Sequence, residues 1–213
     1  MKPENSSSKK LEFLRDFEGV VAGTDEAGRG PLAGPVVAAA AVLTREQEEA
    51  LLKLGLGDSK KLGAGKREAL FLAMRELGVV WRAQAGSVNE IAKFNIAVAS
   101  LRAMGRGVRA LPLSVDLVVV DGLFKIPDLS IEQLPLVAAD SLVPSVSAAS
   151  VVAKVLRDRV MIALDRVYPE YGFAKHKGYP TEAHREAVRT FGLSPVHRVA
   201  FCKKLTERTF ERS

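Results

Sequence analysis

Asp25 with Glu26, Asp121 and Asp140 stand where three apolar runs of this 213-residue chain give out. The runs are Gly19–Asp25 (GVVAGTD), Leu117–Val120 (LVVV) and Leu134–Ala139 (LPLVAA), each short and apolar enough to be a buried strand. In open α/β sheets ligands bind beyond the carboxyl ends of strands, so acids placed there converge even when far apart in sequence. One strand-end Asp is an ordinary turn or cap residue. Three such ends in one chain point to a shared site. Carboxylates gathered at one edge raise each other's pKa unless a cation neutralises them, and a hard divalent ion with oxygen ligands does that best. Asp25 and Glu26 are adjacent, and neighbours in a regular strand face opposite ways. Both serve one site only if the strand breaks there, as Gly28 and Gly30 allow.

Other residues can accompany such a centre. Gly28-Arg29-Gly30-Pro31 reads as a tight turn or as a place where backbone approaches a ligand and offers N–H groups to an oxygen. Neither GxGxxG nor GxxxxGK[ST] occurs, so it is no nucleotide fingerprint. Ser59 and Lys60, in a loop before a helix, suit a phosphate, and a plain cap with solvated lysines explains them equally well. Lys154 shares a helix face with Arg157 and Asp158, and an i,i+4 ion pair explains Lys154 and Asp158 equally well. Tyr171, Phe173, His176, Lys177 and Tyr179 interleave rings with cations in a loop that can stack on sugar or base while holding phosphate. For Tyr171 and Phe173, packing is the better reading. The three histidines lack the spacing of a zinc site and read as polar contacts.

The elements that must position these residues alternate. Pro35–Leu43 and Val79–Ala85 add two strands, for five in all; Thr44 with Gln47 and Ser87 with Glu90 form capping boxes that open helices. Further helices fit Ala64–Leu77, Ser147–Val167 and Thr181–Arg189. The expectation is an α/β sheet with a C-terminal helical cap, divided as a polar leader over 1–18, a catalytic domain over 19–165 and the cap over 166–213. Charge follows that division: Lys+Arg and Asp+Glu balance at 18 each over residues 1–140, while 141–213 carries 13 against 7 and supplies the whole net +6. A basic third suits a polyanion partner, while on charge alone the solvated lysines of ordinary soluble helices are the better reading. With one cysteine, Cys202, no internal disulfide forms, and no apolar run reaches the ~20 residues of a membrane helix. A soluble, cytoplasmic protein is expected.

Taken in order, the blocks Thr24–Ala38 (TDEAGRGPLAGPVVA), Asp58–Leu62 (DSKKL), Asp121-Gly122, Ala139–Ser141 (ADS), Ser147–Ser150 (SAAS) with Ala153-Lys154 and Arg157-Asp158, and His176–Thr181 (HKGYPT) resemble bacterial ribonuclease HII. The resemblance runs from about residue 19 to about residue 201. It implies a ribonuclease H-like fold: a mixed five-stranded sheet flanked by helices, with a helical cap. It also implies endonucleolytic cleavage of RNA in RNA–DNA hybrids and at ribonucleotides embedded in duplex DNA, leaving 3′-hydroxyl and 5′-phosphate ends. The family's catalytic and metal-binding acids fall on Asp25, Glu26, Asp121 and Asp140, and two Mg²⁺ or Mn²⁺ ions are implied as cofactors. Substrate contacts fall on Gly28, Arg29 and Gly30 at the ribose, on Tyr179 at the adjoining sugar, and on Ser59, Lys60 and Lys154 at the backbone.

Ala92 stands where family members often carry Asp, and Ala139 where Gly is frequent. The tail from Leu205 shows no clear clamp-binding motif, so the expected partners are nucleic acids alone, with no membrane and no sliding clamp, and the expected state is a monomer. The rival readings are a protein of this fold that binds hybrids without cutting them, and a phosphate-binding metabolic enzyme. The four acids speak against the first, and the basic C-terminal third with the missing nucleotide motifs against the second.

Overall fold

Small side chains set how closely the layers of this protein approach. A computed structural model describes residues 4–57 and 62–210, which leaves Ser59 and Lys60 outside the described residues. Strands β1 (Val21–Ala27), β2 (Val36–Val42), β3 (Val80–Gly86), β4 (Leu117–Asp121) and β5 (Glu132–Leu136) form one mixed sheet in the order β3-β2-β1-β4-β5. The central β1 runs antiparallel to β2 and parallel to β4. A Cβ at Gly23 would lie 2.2 Å from the Val146 nitrogen, so helix α5 (Pro144–Val167) crosses β1 at backbone contact. The buried face of α5 allows this because it carries Ser145, Ser147, Ala148, Ala149, Ser150 and Ala153.

Helix α4 (Val88–Arg109) covers the opposite face, setting Ala103, Met104 and Val108 on Ala22, Ala38, Ala40, Val118 and Val120. Helix α3 (Ala64–Glu76) backs α5 with Leu70, Phe71 and Met74. Both expected capping boxes are present, at α2 (Arg45–Lys53) and at α4. Five strands with flanking helices, the expected α/β architecture, are what the structure shows.

Several local expectations change. Most of the polar leader is helix α1 (Glu4–Asp16), whose Leu11 and Leu14 pack on Val119, Leu136, Ala139 and Val146. The β1 strand does not break after Asp25 but continues through Ala27, pairing Asp25 with Ala39 and Glu26 with Ala38. The run to Ala139 ends as a strand at Leu136: Ala138 takes a left-handed φ of 56°, and Asp140 sits in the 3₁₀ turn Ala139–Ser141 rather than at a strand end. Pro144 starts α5 ahead of Ser147, at the first helical position where a missing N–H costs nothing. Within α4, Asn95 turns to φ 67° and its side chain accepts from the Val98 amide at 3.1 Å, so it caps the second half of a kinked helix.

The cap consists of α6 (Phe173–His176), α7 (Glu182–Phe191) and α8 (Val199–Phe210). Tyr171 and Phe173 are its packing centre, with Met161, Val188 and Ala33, as their apolar character implies. The loop between β1 and β2 is stitched to the cap: the Leu32 amide donates to Gly178 O at 2.8 Å, the Gly34 amide to Val196 O at 2.8 Å, and the Arg198 amide to Leu32 O at 2.7 Å. Among the described residues no helix is long and apolar enough to cross a membrane.

The crossing of α5 over β1 gives a first expectation. Gly23→Ala places a methyl against Val146 backbone that has nowhere to go, so it should destabilise by at least ~2 kcal/mol, a fall in Tm of roughly 4–8 °C. Unchanged melting of this variant would show that α5 is not held at backbone contact.

Candidate active site

The β1–β4 pairing stops at Thr24 and Val120. Asp25, Glu26 and Asp121 therefore lie just beyond the last β1–β4 pair, although β1 stays paired with β2 and β4 with β5, and there the two central strands part to form a mouth. This is how adjacent acids on opposite faces of an unbroken strand come to share a site. A cleft of about 320 Å³ is lined by Asp25, Glu26 and Asp121, by Gly28, Arg29 and Gly30, and by Ser150, Lys154 and Tyr179. Asp140 does not line it; it is buried on its 3₁₀ turn, and the Ala139 amide before it donates to Asp121 Oδ1 at 2.8 Å.

Asp25 is 2% exposed. Its Oδ1 accepts from the Glu26 amide at 2.7 Å, while Oδ2 is shut from solvent with no donor in bonding geometry. Burial pushes the Asp25 carboxyl well above the usual carboxylate range, the charges of Glu26 and Asp121 push it further, and the nearby Ser150 hydroxyl and the Glu26 amide offset only part. Arg29 reaches Glu26 Oε1 at 3.3 Å from a largely exposed position and offsets charge on that acid. Among the described residues no group of three or more His, Cys, Asp or Glu side chains is placed to hold a metal ion by itself. What suits a cation is the donor set: hard oxygens only, one of them buried and orphaned, gathered against their mutual repulsion.

Lys154 does two things. It pairs with Asp158 at 2.5 Å, as its spacing implies, and it also lines the cleft. Burial pulls its pKa below the ordinary value, with the Asp158 contact opposing. Lys177, by contrast, turns back to the Ala174 carbonyl of its own segment. Tyr179 faces the glycine turn: a Cβ on Gly30 would stand 3.9 Å from Tyr179 Cε1, and the ring lies 5.8 Å from the Arg157 guanidinium.

The sequence profile of the ribonuclease HII family matches residues 22–204. The chain belongs to that family. A ribonuclease HII of Marinomonas sp. (strain MWYL1) is 46% identical over 193 residues, 90% of this chain and 95% of that one. Among solved structures, ribonuclease H2 from Pyrococcus horikoshii OT3 superposes with a TM-score of 0.70 at 28% identity, covering 90% of this chain and 99% of its own. The PCNA:RNase HII complex structure from Archaeoglobus fulgidus gives 0.71 at 25% identity, over 91% and 100%. The protein is thus a nucleic-acid hydrolase of the ribonuclease H type.

Sequence reasoning passed over two residues that shape this ribonuclease HII site. Ser150 faces Asp25 from α5, and Arg198 is 3% exposed beneath the Gly28–Gly34 loop. A lone cation in a non-periodic segment gives no pattern to read. The available signal was indirect: a turn holding Gly28, Gly30, Pro31, Gly34 and Pro35 has carbonyls that no ladder satisfies, and buried carbonyls need donors from somewhere.

His184 and His197 form a hydrogen-bonded chain that ends on Tyr179. His184 Nδ1 lies 2.9 Å from Tyr179 O, His184 Nε2 lies 3.1 Å from His197 Nε2, and His197 Nδ1 takes the Ser194 amide at 3.0 Å and its hydroxyl at 2.7 Å. Only one proton arrangement satisfies every contact. His184 Nδ1–H donates to the Tyr179 carbonyl, His197 Nε2–H donates to His184 Nε2, and His197 Nδ1 accepts. A further proton on either ring breaks the chain. Burial, then the neighbouring His184, pulls His197 down to about 4. Because the folded pKa lies below the unfolded value of ~6.5, the contribution is complete above that value and is lost as pH falls toward about 4. Tm should therefore drop through this window for wild type and less steeply for His197→Gln; parallel curves would remove the neutral chain from the account.

Proposed function

We propose that this chain cuts the RNA strand of RNA–DNA hybrids and incises duplex DNA at embedded ribonucleotides, leaving 3′-hydroxyl and 5′-phosphate ends. The observation that carries the reading is the buried, orphaned Asp25 Oδ2 in a mouth it shares with Glu26 and Asp121. Such a group is stable as a carboxylate only against a cation. Asp25 and Asp121 stand side by side at the ends of parallel strands and would hold divalent ions between them, with Glu26 on the α4 side and Asp140, from the turn joined to Asp121, each completing one flank. A pair of Mg²⁺ or Mn²⁺ ions, when bound, lowers the pKa of a water and offsets charge building on the scissile phosphate.

The chain's own groups do the rest. The Gly28–Gly30 backbone reads the ribose 2′-OH, the feature that separates RNA from DNA. The half-exposed Tyr179 ring packs on the next, deoxyribose sugar, where a 2′-OH would crowd it; its carbonyl is held by His184. Lys154, paired with Asp158, faces the phosphate backbone from the cleft wall, and Ser59 with Lys60 is assigned backbone contact through the resemblance of the DSKKL block. The basic C-terminal third supplies attraction to any duplex.

Duplex DNA bearing one ribonucleotide should be cut with Mg²⁺ or Mn²⁺ and left whole in chelator. Asp25→Asn and Asp121→Asn should each lower turnover by at least ~10²–10³-fold, the scale of losing a main charge-stabilising group. Binding to the same duplex should survive in both. Turnover by wild type in chelator, or near-normal Mg²⁺-dependent turnover in either variant, would refute metal-assisted cleavage at this mouth. Binding with no cleavage under any metal would support the reading of a hybrid-binding protein.

A further inference from the structure

The guanidinium of Arg198 is devoted to one loop. Its Nε donates to Gly34 O at 2.9 Å, Nη1 to Arg29 O at 3.0 Å and Pro31 O at 2.9 Å, and Nη2 to Gly28 O at 2.7 Å. Burial, then the charge of Arg157, pulls Arg198 down to about 9, which leaves it charged at neutral pH. Arg157 holds the shoulders of the same region, through Ala33 O, Pro35 O and Lys177 O, and does not reach Gly28–Gly30 carbonyls.

A trans peptide is planar and carries its C=O and N–H on opposite sides. With the carbonyls of Gly28 and Arg29 both drawn onto Arg198, the amides of the same two peptide groups, those of Arg29 and Gly30, turn away from it. Gly28, Arg29 and Gly30 line the acid cleft. A charged donor on a carbonyl also polarises the peptide and makes its N–H a stronger donor.

We propose that Arg198 is a positioning residue for substrate discrimination: by gripping four carbonyls from beneath, it aims the Arg29 and Gly30 amides at the ribose 2′-OH. The proposal rests on the reading of the Gly28–Gly30 turn as the ribose reader. It requires the planar, five-donor fork of arginine, since a lysine ammonium is a point charge with three donors and cannot reach carbonyls spread from Gly28 to Gly34. Lysine keeps the charge and loses the aim.

The test measures binding without turnover, in an Asp25→Asn background, to duplex DNA carrying one ribonucleotide and to the same duplex made wholly of DNA. Arg198→Lys should leave Kd for the all-DNA duplex unchanged and reduce the preference for the ribonucleotide by up to about tenfold, the scale of one amide–hydroxyl hydrogen bond. A preference kept at the background value would overturn the proposal and leave Arg198 as a tie between cap and loop, with the ribose reading intact. No preference in the background itself would sink the ribose reading, and the proposal with it. Should Arg198→Lys not fold, amide NMR of the unsubstituted background decides. The Arg29 and Gly30 N–H signals must move with the ribonucleotide duplex and not with the all-DNA duplex, and signals that respond alike to both overturn the aim.

Discussion

The structure turns on the burial of one carboxylate among others of like charge. Asp25 is enclosed at the end of the central strand, its Oδ2 unpaired, with Glu26 and Asp121 close enough to raise its pKa. A fold does not gain stability from such an arrangement; it tolerates it because other contacts hold the strand in place. Those contacts are apolar and close. Gly23, two residues before Asp25, lets α5 rest on the β1 backbone, and the Ala-rich β2 is sandwiched between α5 and α4 with its residues almost wholly buried. The same crossing that fixes β1 brings Ser150 and Lys154 over the acid mouth, one and two turns further along α5.

A second layer of constraint comes from buried arginines. Arg157 and Arg198 are nearly free of solvent, and among the described residues neither meets a carboxylate at hydrogen-bonding distance; their partners are carbonyls of the 28–35 loop and of Lys177. Carbonyl dipoles do here what an ion pair does elsewhere, and the loop gains a fixed shape in return. The cap is therefore part of the site. It supplies Arg198 below the glycine turn and Tyr179 beside it, and its neutral histidine chain holds the Tyr179 carbonyl.

How much of this was legible in the sequence depended on whether a residue belonged to a pattern. The five strands and the two capping boxes follow period, caps and composition, and the structure carries them; of the four acids, Asp25, Glu26 and Asp121 line one cleft, while Asp140 lies on a turn outside it. The break assigned after Asp25 was inferred from strand geometry alone, and the register shows why it was unnecessary: pairing between β1 and β4 stops at Thr24 and Val120, so the acids that follow stand at a gap between the two strands. The strand extended to Ala139 was misjudged because Leu134–Ala139 is uniformly apolar, whereas a left-handed Ala138 ends it. The N-terminal leader read as polar because only Leu11 and Leu14 of its helix meet the core. Arg198 left only the indirect trace of a turn with unsatisfied carbonyls, since a buried cation bound to backbone has neither period nor motif.

The central claim is that the mouth is a cation site because of Asp25. Thermal melting with and without a divalent cation tests it most directly, comparing wild type with Asp25→Asn. Mg²⁺ or Mn²⁺ should raise the wild-type Tm, because an ion that binds only the folded chain stabilises it by mass action. In chelator Asp25→Asn should melt above wild type, by roughly 2–4 °C for each kcal/mol of repulsion removed, and it should lose most of the cation-dependent rise. A wild-type Tm indifferent to saturating cation, or an equal rise in Asp25→Asn, would contradict the account.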